Sequence, residues 1–256
     1  MPKDLARTKP HLVQQLAPRE EAQRKGTLEG PPDYDLLAHC WVPSIITRPM
    51  TCFEQPESVD LILKGVRDAV ESSDGVALDG LGFRNHYACW CERCDARRAK
   101  VAEEEGLDVY DALARASEDL LVEISEKVYE AAKSVNHDAI VMNHRWPPFK
   151  PNPYYGWRLR MDYCSQTVSW FYKPHWSLER VQSEIEEMLR LEDRERNQFI
   201  PFIGCYADAH NVRSGDRIAT ELDLAQSQCG DHLVFCNLEA PKRHRSIAEA
   251  LVTHLR

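Results

Sequence analysis

The sequence reads as an α/β chain of (β/α) units that wind in one direction, a (β/α)8-type barrel. Three observations carry this reading. Short apolar runs of strand length alternate with stretches whose apolar residues recur at helical spacing. The runs are continuously apolar rather than alternating, as in parallel strands covered by helices. Polar residues stand at or just past the ends of the runs: Asp79, Asn143-His144, Asp162, Asp208 and Glu239. In a barrel such positions gather at one face. An open doubly wound sheet is the competing architecture, but the chain has neither a G-x-G-x-x-G nor a Walker-type loop.

Residues 1–33 are polar and end in Gly30-Pro31-Pro32, which reads as an N-terminal arm with one short helix. Residues 34–256 form the barrel-like domain. Its first apolar segment is Leu36 to Ile46, followed by a helix with Val59, Ile62, Val66 and Val70 on one stripe. A strand Gly75 to Leu78 leads to Asp79 and a cysteine-knuckle loop over 84–100. A long helix spans roughly 108–135 through Val109, Leu113, Leu120, Ile124, Val128 and Val135. Strand Ala139 to Met142 follows, then a Pro- and Trp-rich loop and a strand near Met161 to Val168. Ser177 is placed to cap a helix carrying Leu178, Val181, Ile185 and Met188. Strand Phe199 to Tyr206, a helix with Ile218 and Leu222, strand His232 to Leu238 and a helix with Ile247, Leu251 and Leu255 complete the chain.

That makes about six βα units, two short of eight, so the barrel is incomplete or the chain begins inside a longer pattern. The exposed sheet edge then needs covering, by the arm or by a second copy in a homo-oligomer.

Composition bounds the function. The 256 residues are 43% hydrophobic and 29% charged, with a net charge of −9. That charge and the lack of a basic run argue against nucleic-acid binding. No apolar run approaches the roughly 20 residues of a membrane span, and the N-terminus lacks a signal-peptide block. A cytoplasmic protein is expected. Nine scattered cysteines do not suggest a secreted disulfide framework.

Cys89-x-Cys91-x-x-Cys94 puts three thiols on six residues of charged sequence, three quarters of a metal site. Free thiols or a redox pair are the competing readings. Cys52, just before a helix, is the preferred fourth ligand for a structural zinc, with Cys40 and His86 as alternatives. Cys164, Cys205, Cys229 and Cys236 read as buried core cysteines.

A loop with Cys52 and Pro56 before a helix, then Asp-Gly-Val-Ala-Leu-Asp, then the knuckle, resembles glycoside-hydrolase-like TIM barrels. It looks most like the hypothetical glycosyl hydrolase families. It is more distantly similar to family 42 β-galactosidase barrels, where such a knuckle and one earlier cysteine hold zinc. On that resemblance Cys52 is the natural fourth ligand. Family 42 enzymes carry an Asn-Glu acid where this chain has Leu78-Asp79-Gly80, which is closer in style to the Asp nucleophile of other retaining barrels.

The resemblance implies two carboxyls across a glycosidic bond. Asp79 is expected as nucleophile or base, with Glu239, then Asp208, then Asp162 as its partner. Asn143, His144, Trp146, Trp170 and Arg84 are expected to bind the sugar, because aromatic rings suit the apolar faces of sugars. Arg145, Arg158 and Arg160 would hold anionic sugars or pair with surface acids. Two other classes fit: a barrel that binds a carbohydrate or partner without catalysis, and a metal-dependent hydrolase using His39, Asp79, His144, Asp208 and His210.

Overall fold

A computed structural model describes residues 7–15, 50–79, 81–82, 89–145, 158–169, 175–205 and 212–254. After a 3-10 turn at Pro10–Leu12, its elements run α1 (Pro56–Val70), β1 (Gly75–Asp79), α2 (Glu92–Glu105) and α3 (Val109–Val135). Then come β2 (Ile140–Arg145), β3 (Tyr163–Ser169), α4 (Leu178–Leu191), β4 (Gln198–Gly204) and α5 (Gly215–Cys229). The chain closes with β5 (Val234–Cys236), α6 (Glu239–Arg243) and α7 (Arg245–His254).

The five strands are all parallel and lie in sequence order, β1-β2-β3-β4-β5. An order without reversal is a singly wound sheet, the barrel type, whereas a doubly wound sheet turns back at a switch point. The register shows which face the helices cover. Val76, Val141 and Asn143 share a face with Cys164 and Phe199. Val76 and Val141 belong to one core cluster with α1 and α3, and Phe199 and Ile203 to a second with α4, α5 and α7. Both clusters therefore lie on the same side of the sheet.

The other face carries Ala77, Asp79, Ile140, Met142, His144, Ser165, Thr167, Phe202, Val234 and Cys236. It is partly open: Ala77 is exposed and Ile140 is 49% exposed. The sheet is also curled. A flat five-stranded sheet would hold its edge strands roughly 19 Å apart. Yet the Asp79 charge at the end of β1 helps burial raise the Cys236 thiol at the end of β5. The described strands thus form a curled parallel half-barrel.

Local chemistry accounts for the elements. Pro56 opens α1 at a position that needs no amide hydrogen. Ser177 and Ser214 cap α4 and α5, each accepting a bond from the backbone N–H three residues on, at 3.2 Å. Leu113, Ala116, Leu120, Ile124 and Val128 line the buried stripe of α3. Each large apolar side chain buried there contributes about 1.5–3 kcal/mol. Val135, expected on that stripe, is 37% exposed at the helix end.

One expectation changes. The stretch read as a loop over 84–100 becomes helix α2 from Glu92, closed by Gly106 at φ 65 in the left-handed region. Its charged residues hide it from an apolar-period reading, although Glu, Arg, Ala and Lys are good helix formers. In the described part of the arm Leu12 is 1% exposed, and Val13 pairs with Thr51 in an antiparallel bridge. The expected strand Leu36 to Ile46 lies outside the described residues.

Candidate functional site

The candidate residues gather at two places. The first is the cysteine cluster. Cys52 follows the Val13–Thr51 bridge, Cys91 stands at the N-cap position of α2, Cys94 lies in its first turn, and Cys89 precedes both. All four are buried, at 0–5% exposure, and their sulfurs lie within 4.8 Å of one another. A tetrahedral metal with bonds of about 2.3 Å sets sulfurs about 3.8 Å apart. Cys52 Sγ lies 3.6 Å from Cys91 Sγ and 3.8 Å from Cys94 Sγ. The donor set and spacing fit a metal ion, and Cys52 is the fourth member of the cluster among the described residues. Cys40 and His86 lie outside the described residues.

Electrostatics agree. Without a cation four thiolates cannot share so small a space. The thiol of Cys52 is pushed up by its hydrogen bond to Cys89 and by burial, and that of Cys94 by its bonds to Cys52 and Cys89, while Cys89 is pulled down as their acceptor. The Gln15 N–H also donates to Cys89 Sγ, at 3.3 Å. Arg98 donates to the Cys89 carbonyl at 2.8 Å and stacks over Trp90, 4.8 Å from its ring centre. Burial lowers its guanidinium, and the sulfurs of Cys94, Cys89 and Cys91 oppose that shift. A cation beside a four-thiolate centre, which carries two net negative charges with a divalent metal, balances charge.

The second place is the C-terminal end of the strands. Asp79 ends β1, exposed, on the open face. His144 is its register partner on β2 and lies on the same face. The imidazole is buried between hydroxyls, with Nδ1 3.2 Å from Ser165 Oγ and Nε2 3.3 Å from Thr167 Oγ1. It stacks on Phe202 at 4.0 Å. Asn143, one residue earlier, faces the opposite way, as strand alternation requires. Fully buried, it accepts the Leu81 N–H at 3.1 Å, which holds the chain leaving Asp79.

The other carboxylates are placed differently. Glu239 opens α6 just after β5, half exposed, and is paired with Lys242 at 3.0 Å and Arg243 at 3.6 Å. These cations hold its carboxyl below the ordinary range. Asp162 stands at the N-terminal start of β3, where Lys133 pairs with it at 3.0 Å and the Val141 N–H donates to it at 2.8 Å. In a parallel sheet that is the end opposite Asp79. The expectation of Asp162 at the mouth is corrected, because its strand begins there rather than ending. Asp208, Arg84, Trp146 and Trp170 lie outside the described residues, as do His39 and His210.

Several other residues take packing or pairing roles. Trp176 is core, with Arg180 4.0 Å above its ring. Arg158 pairs with Glu118 and Asp119, and Arg160 bonds the Glu195 carbonyl. Cys164 and Cys205 are buried as expected, but Cys229 and Cys236 are only partly so.

Sequence reading missed one cluster. Arg213 and Glu221, both with fully buried side chains, form an ion pair. Ser169 donates to Glu221 at 2.5 Å and Arg217 at 2.7 Å, while Arg213 also donates to the Gly204 carbonyl at 3.3 Å. It ties the ends of β3 and β4 to α5, and no local motif announces it. A cavity of about 460 Å³ lies between α1, α2 and α3, where Arg97 bridges Glu54 and Glu123. It is on the helical side, away from Asp79.

The fold has solved counterparts. An α-L-fucosidase, isoenzyme 2 from Paenibacillus thiaminolyticus, superposes with a TM-score of 0.57 at 14% identity, covering 99% of this chain and 35% of that one. A polyextremophilic β-galactosidase from the Antarctic haloarchaeon Halorubrum lacusprofundi gives 0.55 at 13% identity, covering 92% of this chain and 41% of that one. At such identity the likeness is one of fold, and the chain spans well under half the length of either protein. No protein-family model matches the sequence, and no curated protein matches it. Among the described residues no helix is long and apolar enough to cross a membrane.

Proposed function

We propose that this chain is a carbohydrate-active, glycoside-hydrolase-like half-barrel that works at the C-terminal ends of its strands and is braced by a structural zinc. The observation that carries the reading is the place of Asp79: a carboxylate ending β1 on the concave face, at the end where barrel enzymes keep their chemistry. Two structural neighbours named as a fucosidase and a β-galactosidase point the same way.

Asp79 serves as nucleophile or base. Its partner is Glu239 or Asp208, at about 5 Å for a retaining reaction or about 6.5–9.5 Å for an inverting one. The cations beside Glu239 keep it deprotonated, which suits a base better than an acid. That favours Asp208, which follows β4 in sequence, as the proton donor. His144, braced by Ser165 and Thr167, supplies a fixed polar group beside Asp79, and Trp146, Trp170 and Arg84 would line the sugar site.

Zinc is favoured at the cysteine cluster because four thiolates close a tetrahedron and leave no open position for water. A divalent ion held there stabilises the fold rather than turning over substrate. The open inner face favours a second reading, a barrel that binds carbohydrate without cleaving it, its edge covered by another copy of the chain.

The test uses a panel of aryl α-L-fucosides and β-D-galactosides with wild type and Asp79→Asn. Hydrolysis by wild type, reduced at least about 10³-fold in the variant at unchanged thermal stability, supports the catalytic reading. Binding of a sugar with no turnover supports the second reading. Equal activity in Asp79→Asn sinks the catalytic role of Asp79. Elemental analysis should find about one zinc per chain, lost in Cys52→Ser.

A further inference from the structure

Gln14 carries no motif, yet it is 1% exposed and joins the cysteine centre to the mouth. Its backbone N–H donates to the Met50 carbonyl at 2.8 Å, two residues before Cys52. Its side-chain Nε2 donates to the Thr51 carbonyl at 3.0 Å and to the Gly82 carbonyl at 3.2 Å. Gly82 is three residues past Asp79. The adjacent Leu81 N–H is the one that Asn143 holds from β2. Two buried amides, arriving from different parts of the chain, therefore clamp neighbouring residues at the exit of β1.

The segment bearing Gln14 is itself held by the cysteine centre. The Cys52 N–H donates to the Leu12 carbonyl at 2.8 Å, and the Trp90 N–H to the Gln15 carbonyl at 3.1 Å. Gln15 donates to Cys89 Sγ, and Ser58 Oγ donates to the Leu12 carbonyl at 3.2 Å. Among the described residues, the Gln14 amide links this segment to Gly82.

We infer that Gln14 is a positioning residue: it couples metal occupancy of the four-cysteine centre to the placement of the chain leaving Asp79. The coupling rests on the metal reading above, whereas the clamp on Gly82 does not. When the centre holds its ion, residues 12–15 stay docked and Gln14 fixes Gly82. When the ion leaves, the sulfur that Gln15 bonds is no longer held by the metal, the segment lifts, and the exit of β1 loses the clamp that Gln14 makes on Gly82.

Amide hydrogen exchange, followed by mass spectrometry on the peptide spanning residues 78–90, tests this in the full chain loaded with zinc. Gln14→Met keeps the length of the side chain and removes both donors. It should speed exchange in that peptide roughly 5- to 150-fold, the effect of two lost hydrogen bonds. Peptides from α5 should be unchanged. Wild type stripped by a chelator should move the same peptide and the one covering residues 7–15. Gln14→Ala serves if the methionine variant does not fold. Exchange within twofold of wild type in a zinc-loaded Gln14 variant overturns the clamp. Unchanged exchange after confirmed metal release overturns the coupling. A wild type that takes up no zinc overturns the metal reading and with it the coupling, while the variants still decide the clamp.

Discussion

Replacing Glu221 by Gln should be among the most damaging single changes in the molecule. The substitution keeps shape and removes charge. Glu221 accepts from Arg213, Ser169 and Arg217, and its side chain and that of Arg213 are fully shielded from water. Removing one partner of a buried ion pair leaves the other charge uncompensated and costs about 3–5 kcal/mol. Arg217 is 27% exposed and can turn to water, so the loss falls chiefly on Arg213. For a domain of this size each kcal/mol lowers Tm by about 2–4 °C, giving a fall of roughly 6–20 °C. Arg213→Met combined with Glu221→Leu removes both charges together and should recover at least half of the loss. Urea unfolding followed by circular dichroism, at 0.15 M and 1 M salt, measures both, and a buried pair should respond little to salt. A Glu221→Gln cost below about 1 kcal/mol, in the range of exposed pairs, would refute the reasoning.

Other outcomes follow from the geometry. A Cβ on Gly75 would lie 2.1 Å from the Ile140 carbonyl oxygen, so Gly75→Ala should destabilise by about 3 kcal/mol. Gly65, in the middle of α1 with open space around it, should gain about 0.5–1 kcal/mol on change to Ala, and thermal melts of the two variants check the contrast. Asp162→Asn should cost about 1–2 kcal/mol through its bonds to Lys133 and Val141, yet leave any glycosidase activity intact; a large fall in activity per folded molecule would return Asp162 to the mouth. His254 has its pKa raised above 6.5 by the Ala250 carbonyl and by Asp223. Its contribution is therefore present below pH 6.5 and lost as pH rises through the folded value. An NMR titration should give a midpoint above 6.5 that falls in Asp223→Asn.

The sequence revealed most where one residue type has one structural use. Apolar runs ending in Asp79 and in Asn143-His144 marked strands and their working ends, because a polar group closing a buried run has few other places to go. Ser177 marked a helix start for the same reason. Asp162 was ambiguous because apolar residues flank it on both sides, so only pairing with β2 and β4 decides that its strand starts there. The choice among Cys52, Cys40 and His86 depended on which segment returns to the knuckle, a tertiary fact. Helix α2 stayed hidden because its partly buried face is Cys94, Arg97, Arg98, Val101 and Ala102, with only one large apolar side chain to mark a stripe. Gln14 and Arg213 left no trace, since each acts through backbone carbonyls or a distant partner that no local pattern encodes.

The bond from Gln15 to Cys89 spans 74 positions of sequence. Synthesis at about 5–20 residues per second separates the appearance of the two ends by roughly 4–15 seconds. During that interval the first segment exists without the sulfur that receives it, and Cys52 waits with it. The cluster cannot close before Cys94 has emerged, at which point α1 and β1 have been made but β2, the strand that pairs with β1, has not. A nascent chain stalled short of Cys94 would present Cys52 as a reactive thiol, and one extended just beyond it would begin to hide it.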